Sequence, residues 1–282
     1  MQFSKQRVRT AFSRSAKTYD DAAILQKEIL SRLIDKLNFL RQDKSGSLLD
    51  VGCGTGLACK QLTSMVGDEN YFAYDFSLAM LKLSMSRYEH LKQHAVCGDA
   101  EALPYVSNSF DIVFSASTYQ WCNEISNALI DSYRVLKNDG LFVFSTFGPD
   151  TLNELRESFA KVDNMPHVSN FLDMQTIGDQ MLAMGFADTV IESDVITVEY
   201  SSPLQLLKDL KATGATNHLQ QRSRGLTGKS RIRKMIAEYE ELILQNNKYP
   251  ASYEVIYGHG WKKPNLSKHL DANEWHPIKF EQ

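Results

Sequence analysis

The stretch LLDVGCGTG, residues 48–56, decides the fold class of this chain. Its first four residues predict a short buried strand, and three glycines follow at positions 52, 54 and 56. Glycine allows a tight turn and lets a ligand approach the backbone closely where a helix begins. The dinucleotide fingerprint is G-x-G-x-x-G, whereas here position 57 is leucine and the third glycine comes one residue earlier. The stretch therefore predicts a ligand-binding turn between a strand and a helix.

Short apolar segments alternate with helical patterns around this turn. Strands are predicted at 47–51, 71–75, 94–99, 110–116 and 141–147, with helices at about 56–65, 77–90 and 124–136. This alternation is typical of an α/β fold, with a parallel sheet covered by helices on both faces. Two later predicted strands, at 189–200 and 252–261, flank about 50 residues of mostly helical sequence, which predicts a cap held between them.

The composition indicates an ordinary soluble globular protein. Of its 282 residues 43% are hydrophobic and 23% are charged, and the net charge of −3 leaves any electrostatic signal to local clusters. No apolar run is long enough to predict a membrane span, and no secretory signal is visible. Five basic residues and no acid among the first 19 leave an organelle transit peptide open. Four cysteines without a C-x-x-C pair favour a reduced, cytoplasmic setting, and no metal site is predicted.

Three acids accompany the glycine turn. Asp50 comes just before the first glycine, Asp75 ends the second predicted strand, and Asp99 ends the third. The carboxyl ends of neighbouring parallel strands meet where open α/β sheets bind ligands. A carboxylate at the position of Asp75 can accept two hydrogen bonds from ribose hydroxyls. One such acid is often only a turn residue, but three in register with the glycines predict a binding site.

This order of motifs resembles the class I S-adenosylmethionine-dependent methyltransferases. The resemblance implies a Rossmann-like sheet of seven mostly parallel strands with an antiparallel last strand, and S-adenosylmethionine as the cofactor. It also implies that Asp99 accepts from the adenine amino group and that Ala100 supplies a backbone contact. The expected cofactor contacts are Tyr19, Gln26, Asp50, Gly52, Gly54, Gly56, Asp75, Phe76, Asp99, Ala100 and Ser115.

The segment TYQWC, residues 118–122, follows the fourth predicted strand, a position that faces the reacting methyl group in this fold class. Gln120 and Trp121 are therefore candidates for lining the donor pocket. A purely structural role for Trp121, as a roof over the core, stays open.

The segment PDTLNELRESF, residues 149–159, predicts a helix after the fifth strand. Thr151 and Glu154 fit a capping box at its start. Arg156 lies beside the apolar stripe of this helix, and its planar guanidinium suits a carboxylate. An ordinary surface role for Arg156 stays open, and Lys211 is the rival partner for a carboxylate.

The leader TAFSRSAKTYDDAAILQ, residues 10–26, precedes the predicted core. Tyr19 and Gln26 lie seven residues apart, which places them on one helical face. Because an N-terminal helix in this fold class can cover the cofactor, we expect Tyr19 to contact the cofactor or the acceptor, with support from Gln26. A lid in which Tyr19 merely packs is the alternative.

Residues 20–40 form the main predicted helix, and its apolar stripe is Ile24, Leu25, Ile29, Leu33, Ile34 and Leu37.

These patterns divide the chain into three parts. We predict a helical lid at 1–40, a methyltransferase domain at 41–262, and a C-terminal tail at 263–282. The domain carries helical cap insertions at about 151–185 and 201–247.

The stretch QQRSRGLTGKSRIRK, residues 220–234, contains no acid and six basic residues: Arg222, Arg224, Lys229, Arg231, Arg233 and Lys234. Such a cluster attracts an anionic partner. The run lacks the aromatic residues on which single-stranded nucleic acids stack. We therefore expect an acidic protein rather than nucleic acid or a membrane, and a solvated helix face is the alternative.

Five segments together resemble the malonyl-[acyl-carrier protein] O-methyltransferase family: VRTAFSRSAKTYDDAAILQ, LDVGCGTG, VDNMPHVSNFL, DLKATGATNHL and YPASYEVIYG. The resemblance spans about residues 3 to 262 and implies methylation of the free carboxylate of malonyl-acyl carrier protein, early in biotin synthesis. It gives the basic run an acidic carrier protein as partner, with Arg224 and Arg231 as the first candidates. Two other interpretations stay open, an arginine hydroxylase of complex I assembly with a similar DTLxELR helix and a non-catalytic cofactor-binding module.

Overall fold

The strands of the protein form a seven-stranded sheet in the computed structural model, which describes residues 3–41, 45–215 and 228–264. The strands are β1 Leu48–Val51, β2 Tyr71–Asp75, β3 Ala95–Cys97, β4 Phe110–Ser115, β5 Leu136–Phe147, β6 Phe186–Tyr200 and β7 Tyr249–Lys262. Their spatial order is β3-β2-β1-β4-β5-β7-β6. The neighbours from β3 to β5 run parallel, whereas β7 is antiparallel to both β5 and β6. The predicted mostly parallel sheet with an antiparallel last strand is confirmed.

Helices cover both faces of this sheet. They are α1 Lys5–Ser15, α2 Tyr19–Ala22, α3 Ile24–Leu40, α4 Cys59–Val66, α5 Leu78–Arg87, α6 Leu91–His94, α7 Ile125–Val135, α8 Asn153–Ala160, α9 Met174–Ala183, α10 Pro203–Ala212 and α11 Lys229–Glu240. Successive strand residues point to opposite faces. Leu48 therefore packs in one apolar cluster with α3 and α4, and Leu49 packs in a second cluster with α7 and α9. Both clusters are buried, as a doubly covered sheet requires.

The fifth strand is longer than predicted. It begins at Leu136, so the expected turn at residues 138–140 lies inside it, and Asp139 there has a φ of 59°. The pairing of β4 with β5 shifts in register between Phe110 and Ile112, which accommodates this irregular start. The long antiparallel pairing of β5 with β7 then continues to Gly140.

The predicted lid at 1–40 is too long. Ile29, Leu33 and Leu37 of α3 are fully buried and belong to the same apolar cluster as the strands. This helix is therefore part of the core, and the covering segment consists of α1 and α2. Ile24 was expected in the apolar stripe, but it is 66% exposed because α3 begins there and its first residue faces outward.

The predicted capping box is also wrong. Helix α8 begins at Asn153, after Leu152 in the left-handed region with a φ of 55°. The hydroxyl of Thr151 donates to the carbonyl of Glu254, and the carboxylate of Glu154 accepts from the backbone N–H and hydroxyl of Ser252. Both side chains thus attach α8 to β7 instead of capping the helix.

Candidate active site

The glycine loop between β1 and α4 forms the floor of a cavity at the carboxyl ends of β1, β2 and β4. Gly52 has a φ of 85°, and a Cβ atom added there would lie 1.8 Å from the hydroxyl oxygen of Thr118. At Gly54 a Cβ would meet no atom within 4 Å. Glycine is therefore required sterically at position 52, whereas at position 54 it leaves open space above the loop.

Asp75 holds the glycine loop in place. Its two carboxylate oxygens accept from the backbone N–H groups of Gly54, at 2.9 Å, and Ser77, at 2.7 Å. Burial raises the pKa of Asp75 to about 6, although these two hydrogen bonds act in the opposite direction. Asp75 lines the cavity at the end of β2, where the sequence placed a ribose acceptor.

Asp50 lies below the loop and is 2% exposed. The hydroxyl of Tyr71 donates to its carboxylate at 2.6 Å. Burial raises the pKa of Asp50 to about 7. Asp50 lines a smaller adjoining cavity together with Tyr19 and Gln26, so the structure brings these three predicted residues together.

Asp99 and Ala100 line the other end of the main cavity. The carboxylate of Asp99 accepts from the ammonium group of Lys5 in α1 at 3.0 Å, and Lys5 also pairs with Glu101. The sequence prediction missed Lys5, because its partners are more than ninety residues away and only the fold brings them together.

Helix α1 and the following turn cover this cavity. The guanidinium of Arg9 lies 4.3 Å from the ring centroid of Phe76, another predicted lining residue. The hydroxyl oxygens of Ser13 and Ser77 are 3.1 Å apart. Tyr19 lines both the main and the adjoining cavity, and burial together with the nearby Asp75 raises its pKa well above the usual range. Residues of α1 and Tyr19 therefore form part of the cavity wall, and a contact of Tyr19 with the cofactor or the acceptor stays a prediction.

Two predicted cofactor contacts lie behind the cavity wall. Ser115 is fully buried, and its hydroxyl donates to the carbonyl of Val51 at 2.8 Å, so the wall beyond β4 is formed by residues 116–118 instead. Gly56 ends the turn with a φ of 83°, and a Cβ there would lie 2.6 Å from the hydroxyl of Ser84. Its role is the close packing of the loop against α5.

A second cavity of about 500 Å³ lies between the cap helices and β5–β7. Its lining is mainly apolar, with contributions from Leu155, Phe159, Tyr200, Leu210 and Ile232. Volumes of this order are typical of ligand sites, which combine apolar walls with a few polar groups. Gln26 lines this cavity as well as the small one beside Asp50, so the two sites are neighbours.

Trp121 separates the two main cavities and lines both. Its ring packs against Phe3, with a centroid distance of 5.8 Å, and against Phe12, at 5.4 Å. Gln120 lines the second cavity and is 8% exposed. Its amide nitrogen donates to the carbonyl of Ser117, and its buried amide oxygen has no hydrogen-bond partner among the described residues. Trp121 therefore borders the predicted donor pocket, whereas Gln120 lines the second cavity instead.

Arg156 does not line the second cavity, but its side chain forms hydrogen bonds to residues of the cavity wall. Its guanidinium donates to the carbonyl oxygens of Pro149, Thr151 and Ser169 and to the side chain of Asn153. Thr151 and Ser169 both line the cavity. Arg156 thus attaches the start of α8 to the loop that contains Ser169.

Lys211 and the described part of the basic run, residues 228–234, lie on the outside of the cap. Lys211 is exposed in the last turn of α10 and is not part of the cavity wall. Four residues of the basic run, Lys229, Arg231, Arg233 and Lys234, are exposed on α11. The other two, Arg222 and Arg224, lie outside the described residues.

The described part of the chain contains no cluster of three or more histidine, cysteine or acidic side chains arranged to hold a metal ion. Within the same residues, no helix has both the length and the apolarity that a bilayer crossing requires.

Comparison with known proteins agrees with this geometry. The family described as "Methyltransferase domain" matches residues 49–144. The solved structure of the YcgJ protein from Bacillus subtilis has a TM-score of 0.59 and 17% identity, covering 83% of this chain and 99% of that one. A phosphoethanolamine N-methyltransferase from Haemonchus contortus has a TM-score of 0.55 at 17% identity, covering 91% of this chain and 61% of that one. Similarity at this level shows that the fold is shared.

Curated relatives are similar along nearly the whole chain. A malonyl-[acyl-carrier protein] O-methyltransferase from Gallionella capsiferriformans is 40% identical over 265 residues, which are 92% of this chain and 91% of that protein. The malonyl-[acyl-carrier protein] O-methyltransferase 1 of Coxiella burnetii is 40% identical over 274 residues, covering 97% of this chain and 94% of that protein. These relatives favour a methyltransferase over the hydroxylase interpretation. The chain belongs to the malonyl-[acyl-carrier protein] O-methyltransferase family.

Proposed function

We propose that this protein transfers a methyl group from S-adenosylmethionine to the free carboxylate of malonyl-acyl carrier protein, early in biotin synthesis. The observation that carries the proposal is the pair of cavities that meet at Trp121. One lies at the strand ends, where Asp75 and Asp99 can accept hydrogen bonds from a nucleoside, and the other is larger, with a mainly apolar lining that suits an acyl chain on a long arm. The names of the relatives support this choice of substrate.

The residues around the first cavity suit S-adenosylmethionine. Asp75 offers carboxylate oxygens for ribose hydroxyls, and Asp99 with Ala100 would face the adenine. Gly54 leaves room for close approach to the loop. When bound, S-adenosylmethionine supplies a methyl group on a sulfonium, which a carboxylate oxygen attacks while the methyl–sulfur bond breaks.

The acceptor needs orientation rather than activation. A carboxylate with a pKa near 4 is already ionised at neutral pH, so no general base is required. Holding such a nucleophile in line with the reacting carbon supplies several kcal/mol of the rate enhancement. The protein must therefore position one oxygen and leave it free to react.

We assign these positioning roles to residues at the junction of the cavities. The phenol of Tyr19 stays protonated because its pKa is raised, so it can donate a hydrogen bond without neutralising the carboxylate. Gln26 supports Tyr19, while Gln120 and Trp121 shape the acceptor side. Arg156 acts through the wall that it holds.

The carrier protein is proposed to dock on α11. Acyl carrier proteins are acidic, and the exposed basic residues of α11 would attract them. Ile232 of the same helix lines the acceptor cavity, so a partner bound here could direct its arm inward. A carrier protein docked here would use both the basic surface and the adjacent cavity, whereas a nucleic acid would account for the basic surface alone.

One assay tests the proposed function. The protein is incubated with labelled S-adenosylmethionine and malonyl-acyl carrier protein, and the carrier is examined by mass spectrometry for a methyl ester. We expect one labelled methyl group, which mild base removes. Absence of the ester, when a related enzyme succeeds under the same conditions, would refute the proposal and favour a non-catalytic role.

A further inference from the structure

The loop MPHVSNF, residues 165–171, stands out in the sequence but has no role in the site described so far. Its His167 lines the acceptor cavity. The same loop carries Ser169, whose carbonyl is held by Arg156. The loop is therefore a fixed part of the cavity wall, and His167 is the ionisable group that it contributes.

Two contacts hold the ring of His167. Its Nε2 atom lies 2.8 Å from a carboxylate oxygen of Asp163, which also accepts from the backbone N–H of Met165 at 3.0 Å. The ring stacks on Phe159 of α8 with a centroid distance of 3.7 Å and an interplanar angle of 7°. Side-chain exposure is only 13% for His167 and 15% for Asp163. A ring held on its face and at one nitrogen has a defined orientation.

We propose that His167 binds the free carboxylate of the acceptor, an inference that rests on the proposed function. A carboxylate removed from water needs a donor that is also removed from water, preferably a cation. Arg156 was the sequence candidate, but its guanidinium donates to backbone carbonyl oxygens. Among the described residues that line the cavity, His167 and Lys248 are the side chains that can carry positive charge. Lys248 is exposed, whereas His167 is largely buried.

The remaining ring nitrogen of His167 is suited to this task. Nε2 is paired with Asp163, and Nδ1 has no hydrogen-bond partner within the described parts of the chain. An acceptor carboxylate at Nδ1 would place the ring between two carboxylates, with one ring nitrogen directed at each. The charged groups that face the His167–Asp163 pair include Arg231 of α11, whose guanidinium lies 3.7 Å from the carboxylate of Asp163. The acids that line the same cavity, Glu199 and Asp209, come from β6 and α10 rather than from this loop.

The proposed contact also fits the chemistry. A single N–H donor engages one carboxylate oxygen and leaves the other with its lone pairs free for methyl transfer. A bidentate guanidinium would engage both oxygens and lower the nucleophilicity of each. His167 would thus supply recognition of charge without suppressing the reaction.

The test compares malonyl- with propionyl-acyl carrier protein, whose acyl groups are similar in size but differ in charge. Dissociation constants are measured with S-adenosylhomocysteine present, so that no turnover occurs. We expect the wild type to prefer the malonyl form by about tenfold or more, as for a hydrogen bond between charged groups. His167→Phe keeps the stacking on Phe159, and we expect it to lose this preference while the affinity for the propionyl form stays within about twofold.

The control is His259→Phe, since His259 on β7 also packs against an aromatic ring, Trp261, but lies outside the acceptor cavity. It should keep the full preference. If His167→Phe no longer binds cofactor, His167→Gln is judged by the same criteria. A retained preference, an equal loss for both carriers, or no preference in the wild type would overturn the inference. If the wild type forms no methyl ester, the proposed function itself fails, whatever the binding ratio.

Discussion

At the scale of single residues, Asp50 shows how burial changes a carboxyl group. Its pKa rises from 3.8 to about 7 because the group is removed from water. The folded state therefore binds this proton more tightly than the unfolded state does. The stability contributed by this difference is complete below about pH 4 and is lost as the pH rises from about 4 to about 7.

We predict that Asp50→Asn removes this pH dependence. An amide oxygen can still accept from the hydroxyl of Tyr71, but it cannot ionise. Relative to the wild type, the variant should gain stability as the pH rises from about 4 to about 7, with a total of the order of a few kcal/mol. Denaturant unfolding across this pH range measures the difference, and two parallel stability curves would contradict the prediction.

The glycine loop provides a matched pair of substitutions. Gly52→Ala places a methyl group against Thr118, so we expect cofactor binding to be lost or the loop to be rearranged. Gly54→Ala meets no atom of the described residues within 4 Å and costs the ligand-free fold only its positive φ, about 1 kcal/mol, although its methyl group would enter the space that we assign to the cofactor. Thermal unfolding of both variants without ligand should therefore give a much larger loss of stability for Gly52→Ala, and equal losses would contradict the steric argument.

For Arg156→Ala we expect a higher KM for malonyl-acyl carrier protein and a nearly unchanged affinity for the cofactor. The substitution releases the carbonyl groups of Thr151 and Ser169, which belong to the acceptor wall. Arg156→Lys is the matched variant, because an ammonium cannot span the same set of carbonyls as a planar guanidinium. Steady-state kinetics with calorimetric cofactor titration separates the two effects, and an unchanged KM would remove Arg156 from the acceptor site.

The positions of residues near the glycine loop could be predicted because they follow from the order of strand, turn and helix along the chain. Asp75, Gly52 and Gly54 follow strands at fixed positions and line the cavity, whereas Gly56 packs behind its wall. Ser115 was misplaced because the orientation of the last residue of a strand depends on strand pairing. The role of His167 could not be read from the sequence, since Phe159 and the cavity meet it only in the folded chain.

At the scale of elements, α1 and α2 form a cover that, within the described residues, contributes no side chain to the two apolar clusters of the sheet. Phe3 and Val8 belong to a small apolar cluster of their own, with Phe12 and Trp121 at its edge. The cover is attached to the site by Lys5 on Asp99 and by polar contacts. Its packing energy is therefore largely separate from that of the sheet.

We predict that removing residues 1–22 abolishes methyl transfer while the sheet still folds. The truncation stops before α3, whose buried residues belong to the core, whereas a cut at residue 26 would also remove Leu25 from it. Far-ultraviolet circular dichroism and thermal unfolding should report a folded protein with a modestly lower Tm. Activity near that of the full chain would refute a catalytic role for the cover.

Element boundaries failed where tertiary contacts override local signals. The capping pattern of Thr151 and Glu154 is satisfied by β7 instead, because that strand offers partners at the start of α8. Helix α3 resembles an independent lid in sequence, yet its apolar face meets the sheet. Sequence periodicity identifies the buried face of a helix but not the element that buries it.

At the scale of the whole molecule, the cavity at the strand ends lies apart from the α11 surface that we propose for the carrier protein. The exposed cations of α11 define that surface, and electrostatic attraction of this kind acts on association and weakens with salt. The sequence identified the basic run, but only the fold places α11 at the wall of the acceptor cavity.

We predict that Arg233→Glu with Lys234→Glu raises the KM for malonyl-acyl carrier protein at low ionic strength by about tenfold or more, with a smaller effect at high salt. A short malonyl thioester without the carrier should be affected little, because both residues are exposed and neither lines the cavity. Lys60→Glu with Lys82→Glu, at exposed positions of α4 and α5, is the control, because it changes the net charge by the same amount. If both substrates were affected equally, the substitutions would be acting on the cavity rather than on the docking of the carrier protein, which would contradict the prediction.

The position of Trp121 has a further consequence. The indole lies between two phenyl rings of the cover and borders both cavities. Any displacement of α1 exchanges aromatic neighbours for water, and an indole emits at longer wavelength when water surrounds it. The protein thus carries an intrinsic fluorophore where the cover and the two cavities meet, and the emission of this indole, one of three in the chain, would shift if the cover were displaced.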